Sequence, residues 1–245
     1  SALSWISAAF RGRSSGRKGN NMIFDIIRNG FSLEVLVSLM ARVFVIFCVM
    51  PIHEFAHAFV AYKLGDDTAR LSGRLTLNPL AHIDLIGLIM MMLVRFGWAK
   101  PVPVSTRNFK HPRRDEIIVS LAGVAMNLVL AFVTMLIFFG LMVAGKAGNA
   151  ALNTIFYYFY FINLGLCVFN ILPIPPLDGF HVASCLFMRS IGPKPFMFLQ
   201  KYGFVILIVL LMTNWLDGIM SSAVNFLMSG MMNICAAIYG LLGLM

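Results

Sequence analysis

The sequence predicts an all-α polytopic membrane protein with about five spanning helices and a re-entrant segment or membrane-embedded strands. Two observations carry this. Of the 245 residues, 60% are hydrophobic and only 12% charged, whereas an ordinary soluble domain is about 25% charged. Apolar runs of bilayer length also recur along the chain, separated by short basic loops. The net charge of +9 sits in those loops. It therefore reads as membrane orientation, and no nucleic-acid partner is expected. Cys48, Cys167, Cys185 and Cys235 lie apart in apolar context with no CxxC pair, so they read as packing residues.

Residues 1–21 are rich in Ser, Gly and Arg and are expected to be a leader, tag or disordered tail. Residues 22–245 then form a single transmembrane domain. The first helix is expected over residues 33–62, with Ser32 as N-cap and Glu34 in its first turn. A polar loop over 63–82 contains a strand-like Gly73–Leu77 and an Asn78-Pro79 break. Segment 83–98 is apolar but short, and it holds Gly87, Arg95 and Gly97, so it is marginal as a span. The basic loop 99–116 includes Pro101-Val102-Pro103-Val104, which must be extended because each proline fixes φ and restricts the residue before it. Further helices are expected over 117–144, 153–172, 196–214 and 218–245, with Pro173, Pro175 and Pro176 ending the second of these.

Chemistry enters at His53-Glu54-Phe55-Ala56-His57. On a helix, positions i and i+4 share a face, about 6 Å apart along the axis, so both imidazoles can grip one metal ion. Glu54 lies between them, in reach of a metal-bound water. The motif alone arises by chance, and two polar residues facing water at a helix end is the plain alternative. Its setting favours the metal: Val43–Ile52 precede it and Ala58–Ala61 follow it, and ionisable residues inside a membrane helix are costly and functional by default. A catalytic zinc site usually takes three protein ligands. The best third ligand is Asp178, in Asn170-Ile171-Leu172-Pro173-Ile174-Pro175-Pro176-Leu177-Asp178-Gly179. The carbonyls freed at Pro173 must line a polar cavity, not face lipid. Taken alone, Asp178-Gly179 reads as a solvated turn. Weaker candidates are Asn127 and Asn163, equally readable as interhelical hydrogen-bonders, His82 and Asp84 at the cavity entrance or in a turn, and His181 near the metal, for which a loop or interface role is the better reading.

Together, HEFAH in an apolar helix and Asn170…Pro173…Pro175…Leu177-Asp178-Gly179 resemble the site-2 protease family of intramembrane zinc metalloproteases. The stretches Gly73–Asp84 and Gly97–Val104 are similar to its compact bacterial branch, which lacks PDZ or CBS domains. The likeness runs from about Phe31 to Lys201. It implies one Zn2+ held by His53, His57 and Asp178, Glu54 as general base, and Asn170 as a polar group near the scissile carbonyl. It also implies transmembrane proteins as substrates, cleaved within the bilayer. The chain departs from the family at Ala122-Gly123-Val124, where proline often follows the glycine, and at Leu85 after Asp84. A transporter or metal carrier using the same ligands is the rival from another class, and a non-catalytic scaffold is a third reading. Glu54 separates them, since neither needs an acid held off the metal beside two ligands.

If Asp178 joins the histidines, the first helix and helix 153–172 end at the same depth. Lys63, Arg70, Arg74, Lys100, Arg107, Lys110, Arg113 and Arg114 then share one side, which the positive-inside rule makes cytoplasmic. Both flanks of segment 83–98 lie on that side, so it should dip in and return. The expected setting is a bacterial cell membrane, with the active site toward the cytoplasm.

Overall fold

A computed structural model describes residues 33–82, 84, 87, 100–147 and 150–243. The expectations for residues 1–21 and for segment 83–98 fall outside these residues, apart from Asp84 and Gly87. Among the described residues every regular element is helical. Helix α1 spans Leu33–Lys63 and carries Pro51 in its interior. Proline lacks the N–H that would bond the Phe47 carbonyl, so the ladder is opened just ahead of His53. Two single-turn helices follow, α2 over Thr68–Leu71 and α3 over Pro79–His82. A 3₁₀ turn over Thr106–Asn108 leads into α4, Pro112–Val143. Then come α5 over Ala150–Asn170, α6 over Asp178–Ile191, α7 over Pro193–Met212 and α8 over Trp215–Leu241.

Four helices among the described residues are long and apolar enough to cross a bilayer: Pro112–Val143, Leu152–Asn170, Pro193–Met212 and Trp215–Leu241. Helix α1 is a continuous 31-residue helix as expected, and most side chains of its first half, the fifth span expected, lie outside the described residues. The expected strand at Gly73–Leu77 is not formed. Gly73 takes φ +67° at the end of α2, Arg74 N–H turns back to the Ala69 carbonyl at 2.8 Å, and Asn78 Oδ1 accepts the Leu80 N–H at 3.1 Å to start α3. Local side-chain and turn bonds have taken the groups a strand ladder needs. Residues 101–105 form no helix and no paired strand, and Ser105 is extended.

Helix α4 is the hub, packing on α1, α5, α6 and α8. Its far half meets α5 and α8 in a core of Ala131, Met135, Phe139, Tyr160, Leu164, Val168, Val224, Met231 and Cys235. Tyr239 of α8 lies over Gly140, and its hydroxyl donates to the Leu136 carbonyl at 3.1 Å. Small residues and interhelical hydrogen bonds are what hold helices together where lipid removes the hydrophobic drive. The near half of α4 faces α1 and α6, and that is where the ionisable residues meet.

Candidate metal centre

His53 and His57 project from one face of α1 and are both buried. His57 Nδ1–H donates to the Val119 carbonyl of α4 at 2.7 Å. A carbonyl can only accept, so this bond places the ring proton on Nδ1 and leaves Nε2 with a free lone pair. His57 Nε2 lies 3.0 Å from His53 Nε2. Asp178, the first residue of α6, brings Oδ2 to 3.3 Å from His57 Nε2 and 3.4 Å from His53 Nε2. Ligands about 2.0–2.1 Å from a tetrahedral ion lie about 3.3 Å from one another, so the three atoms are spaced as such an ion requires. Asp178 Oδ2 is buried with no hydrogen-bond donor among the described residues. Acceptors converging on one point repel unless a cation sits among them. The donor set of two imidazoles and a carboxylate therefore fits a metal ion, and these three residues are the one such cluster found among the described residues.

Gly123 of α4 forms the third wall. A Cβ there would lie 2.3 Å from His57 Nε2 and 2.5 Å from His53 Cε1. Only glycine lets α4 approach the histidines this closely. The sequence pointed to Gly123 only as part of a departure from a family pattern; its contact with the ligands is a long-range one. Gly179, next to Asp178, has the same character. Its Cβ would lie 2.2 Å from the Ile171 carbonyl oxygen and 2.6 Å from that of Leu172. The start of α6 is thus pressed against the exit of α5, which aims Asp178 at α1.

Glu54 accepts a hydrogen bond from the Val102 N–H at 3.3 Å, a partner the sequence reading did not foresee. Asn170 ends α5, partly buried, adjacent in sequence to the Ile171 carbonyl that meets Gly179. Asn127 is fully buried on α4, one turn beyond Gly123, and neither of its amide atoms has a partner among the described residues. Asn163 donates to the Phe159 carbonyl of its own helix at 2.7 Å, a packing role. His181 is not drawn into the metal cluster: its Nδ1 pairs with Glu116 Oε1 at 3.1 Å, and Cys185 donates to Glu116 Oε2 at 3.3 Å. His82 is fully buried and its Nε2–H donates to the Thr76 carbonyl at 2.8 Å, while Asp84 accepts from the Gly87 N–H at 2.8 Å. Both are turn residues.

Asp66, in the loop after α1, is also fully buried. Burial alone would raise its carboxyl, but bonds from the Thr68 hydroxyl, the Ser105 N–H, the Asn108 amide and the Thr68 N–H hold it below the usual carboxylate range.

Comparison with known proteins finds zinc metalloproteases. The model of Peptidase family M50 matches residues 139–213. The chain is 44% identical to "Putative zinc metalloprotease YwhC" of Bacillus subtilis (strain 168) over 165 residues, 66% of this chain and 75% of that protein. It is 31% identical over 225 residues to "Putative zinc metalloprotease Rip2" of Mycolicibacterium smegmatis (strain ATCC 700084 / mc(2)155), covering 88% of this chain and 76% of that protein. Rip2 of Mycobacterium tuberculosis (strain ATCC 25618 / H37Rv) is 33% identical over 198 residues, 75% of this chain and 70% of that protein. No solved structure matches the chain.

Proposed function

Because the chain belongs to peptidase family M50, we propose that it is a multi-pass membrane zinc peptidase that hydrolyses peptide bonds within or near transmembrane segments of other proteins. The convergence of His53 Nε2, His57 Nε2 and Asp178 Oδ2 within 3.4 Å of one another carries the reading. These residues would hold one zinc ion. Bound there, zinc supplies a Lewis acid and brings the pKa of a coordinated water toward ~7.

The chain's own residues do the rest. Val119 fixes the tautomer of His57 and so keeps Nε2 available as a ligand. Glu54, beside the ligands on the same helix, takes a proton from the attacking water and gives it to the departing amide nitrogen. The Val102 N–H engages Glu54 Oε2, which leaves Oε1 for that transfer. Asn170 would donate to the scissile carbonyl, and Asn127, whose amide has no partner among the described residues, lies one turn from Gly123. A substrate helix hides its carbonyls in its own ladder, so it must unwind near the cleaved bond. Of the two edges the sequence offered for holding the unwound strand, Leu75 and Thr76 lie in a bend, whereas segment 102–104 meets Glu54 through the Val102 N–H, so the latter is the edge to which a strand could add.

The setting follows from charge. The site faces the cytoplasm of a bacterial cell, helix α1 is a fifth span, and segment 83–98 is re-entrant. Support for the last point is direct contact between its flanks: Asn108 Nδ2 lies 2.7 Å from Asp66 Oδ1.

Purified protein with zinc should cleave members of a panel of transmembrane segments. Glu54→Gln should abolish turnover while zinc content stays near wild type, because the amide keeps the shape but cannot accept the proton. Retained turnover in that variant would sink the assignment.

A further inference from the structure

The loop that meets Glu54 is pinned at both ends. At one end Lys100 N–H donates to the His82 carbonyl at 2.8 Å, and His82 is itself held by Thr76. At the other end Ser105 N–H donates to Asp66 Oδ2 at 2.7 Å, and Asn108 Nδ2 donates to Asp66 Oδ1 at 2.7 Å. Thr68 completes the set from the α1 side, its N–H at 3.1 Å and its hydroxyl at 2.5 Å from Oδ1. A buried carboxylate is costly unless its oxygens are bonded, and here it joins the loop to the end of α1. Between the pins lies Pro101-Val102-Pro103. Both prolines fix φ and neither has an N–H, so Val102 has the one amide this tripeptide can donate. That amide goes to Glu54.

We propose that Asp66 is a positioning residue for hydrolysis: by clamping residues 105–108 it holds the proline-stiffened segment so that the Val102 N–H orients the Glu54 carboxylate. The role rests on Glu54 being the general base. It predicts an effect on turnover that a simple loop anchor would not have, because small displacements of a reacting group cost up to about a hundredfold in rate.

The test uses the full chain in detergent with zinc and a cleavable transmembrane-segment peptide. Asp66→Asn removes the charge and replaces one acceptor by a donor. Asn108→Ala removes, from an exposed residue, the amide that bonds Asp66 Oδ1 and reaches the Thr68 hydroxyl, and leaves the other three donors to Asp66 in place. Because Oδ1 also accepts from Thr68 and Oδ2 from Ser105, no amide at position 66 can satisfy all four donors. Asp66→Asn should lower kcat about tenfold or more, with KM within about twofold and zinc content unchanged. Hydrogen exchange over residues 101–105, where only Val102, Val104 and Ser105 carry amides, should quicken in Asp66→Asn and, to a smaller degree, in Asn108→Ala. If Asp66→Asn does not fold, Asn108→Ala decides by the same kcat and exchange readouts. Faster exchange with unchanged kcat overturns the positioning role, as does a loss of activity that tracks a loss of zinc. Zinc-bound wild type with no Glu54-dependent cleavage overturns the peptidase reading itself, and the wild-type control separates that outcome from failure of the clamp alone.

Discussion

The reacting centre is set by single atoms, and single substitutions test it. Asp178→Ala removes one of three ligands, so zinc and activity should be lost together while the protein still inserts. Metal analysis of the purified variant checks this; a zinc content equal to wild type would show that Asp178 is a solvated turn residue. Gly123→Ala tests the third wall. The three atoms nearest the added methyl group all belong to the imidazole rings, so the rings must move, and moved rings no longer share one point. Zinc affinity, measured by competition with a chelator, should fall at least about tenfold, the scale on which groups around a metal act. Asp66 makes a different prediction. Its folded carboxyl titrates below the ordinary carboxylate value. Its contribution to stability is therefore complete above about pH 4 and lost as pH falls below it. The melting temperature of wild type should decline more steeply through that window than that of Asp66→Asn.

At the scale of elements, legibility followed period and length. The expected long helices are present within a few residues because apolar runs bounded by Pro, Gly and Asn leave little choice in lipid. The pair His53 and His57 was legible because four residues return a helix to the same face. Helix α6 was not foreseen: it is 14 residues of mixed character, Asp178–Ile191, following three prolines that read as loop. Yet it carries the third ligand at its first position, aimed by the contact of Gly179 with α5. The partners Val102 for Glu54 and Val119 for His57 were also missed, since a backbone bond between residues 48 and 62 positions apart leaves no trace in local pattern. The strand expected at Gly73–Leu77 failed for the opposite reason: its β-like composition was overridden by turn bonds at Gly73 and Asn78. The junction of α5 and α6 gives the element-scale prediction. Unlike Gly123, Gly179 faces backbone, the Ile171 and Leu172 carbonyls. Gly179→Ala should therefore destabilise the protein by about 1–3 kcal/mol through overpacking as well as displace Asp178. A thermal melt of metal-free protein reads the first effect apart from the second, and an unchanged midpoint would show that α6 can slide without cost.

For the whole molecule the open question is how segment 83–98 is placed, and the described residues constrain it from both sides. Ahead of it, Asp66 ends the turn after α1; behind it, Ser105 and Asn108 bond to that same carboxylate at 2.7 Å. Flanks held at one point are what the re-entrant placement proposed above requires, and a single crossing would part them. The charge map agrees, since Lys63, Arg70 and Arg74 precede the segment and Lys100, Arg107, Lys110, Arg113 and Arg114 follow it, and a single crossing would divide these basic residues between the two faces. Between α4 and α5, by contrast, Lys146 is the basic residue of the turn. Single cysteines at Ser72, Lys110 and Lys146, all exposed, in a background lacking the four native cysteines, turn this into a measurement. In intact cells an impermeant thiol reagent should label position 146 and spare positions 72 and 110, and permeabilising the inner membrane should expose both of the latter. Labelling of 72 and 110 on opposite sides would mean that segment 83–98 spans, and it would also break the contact with Asp66 on which the placement of Val102 against Glu54 depends.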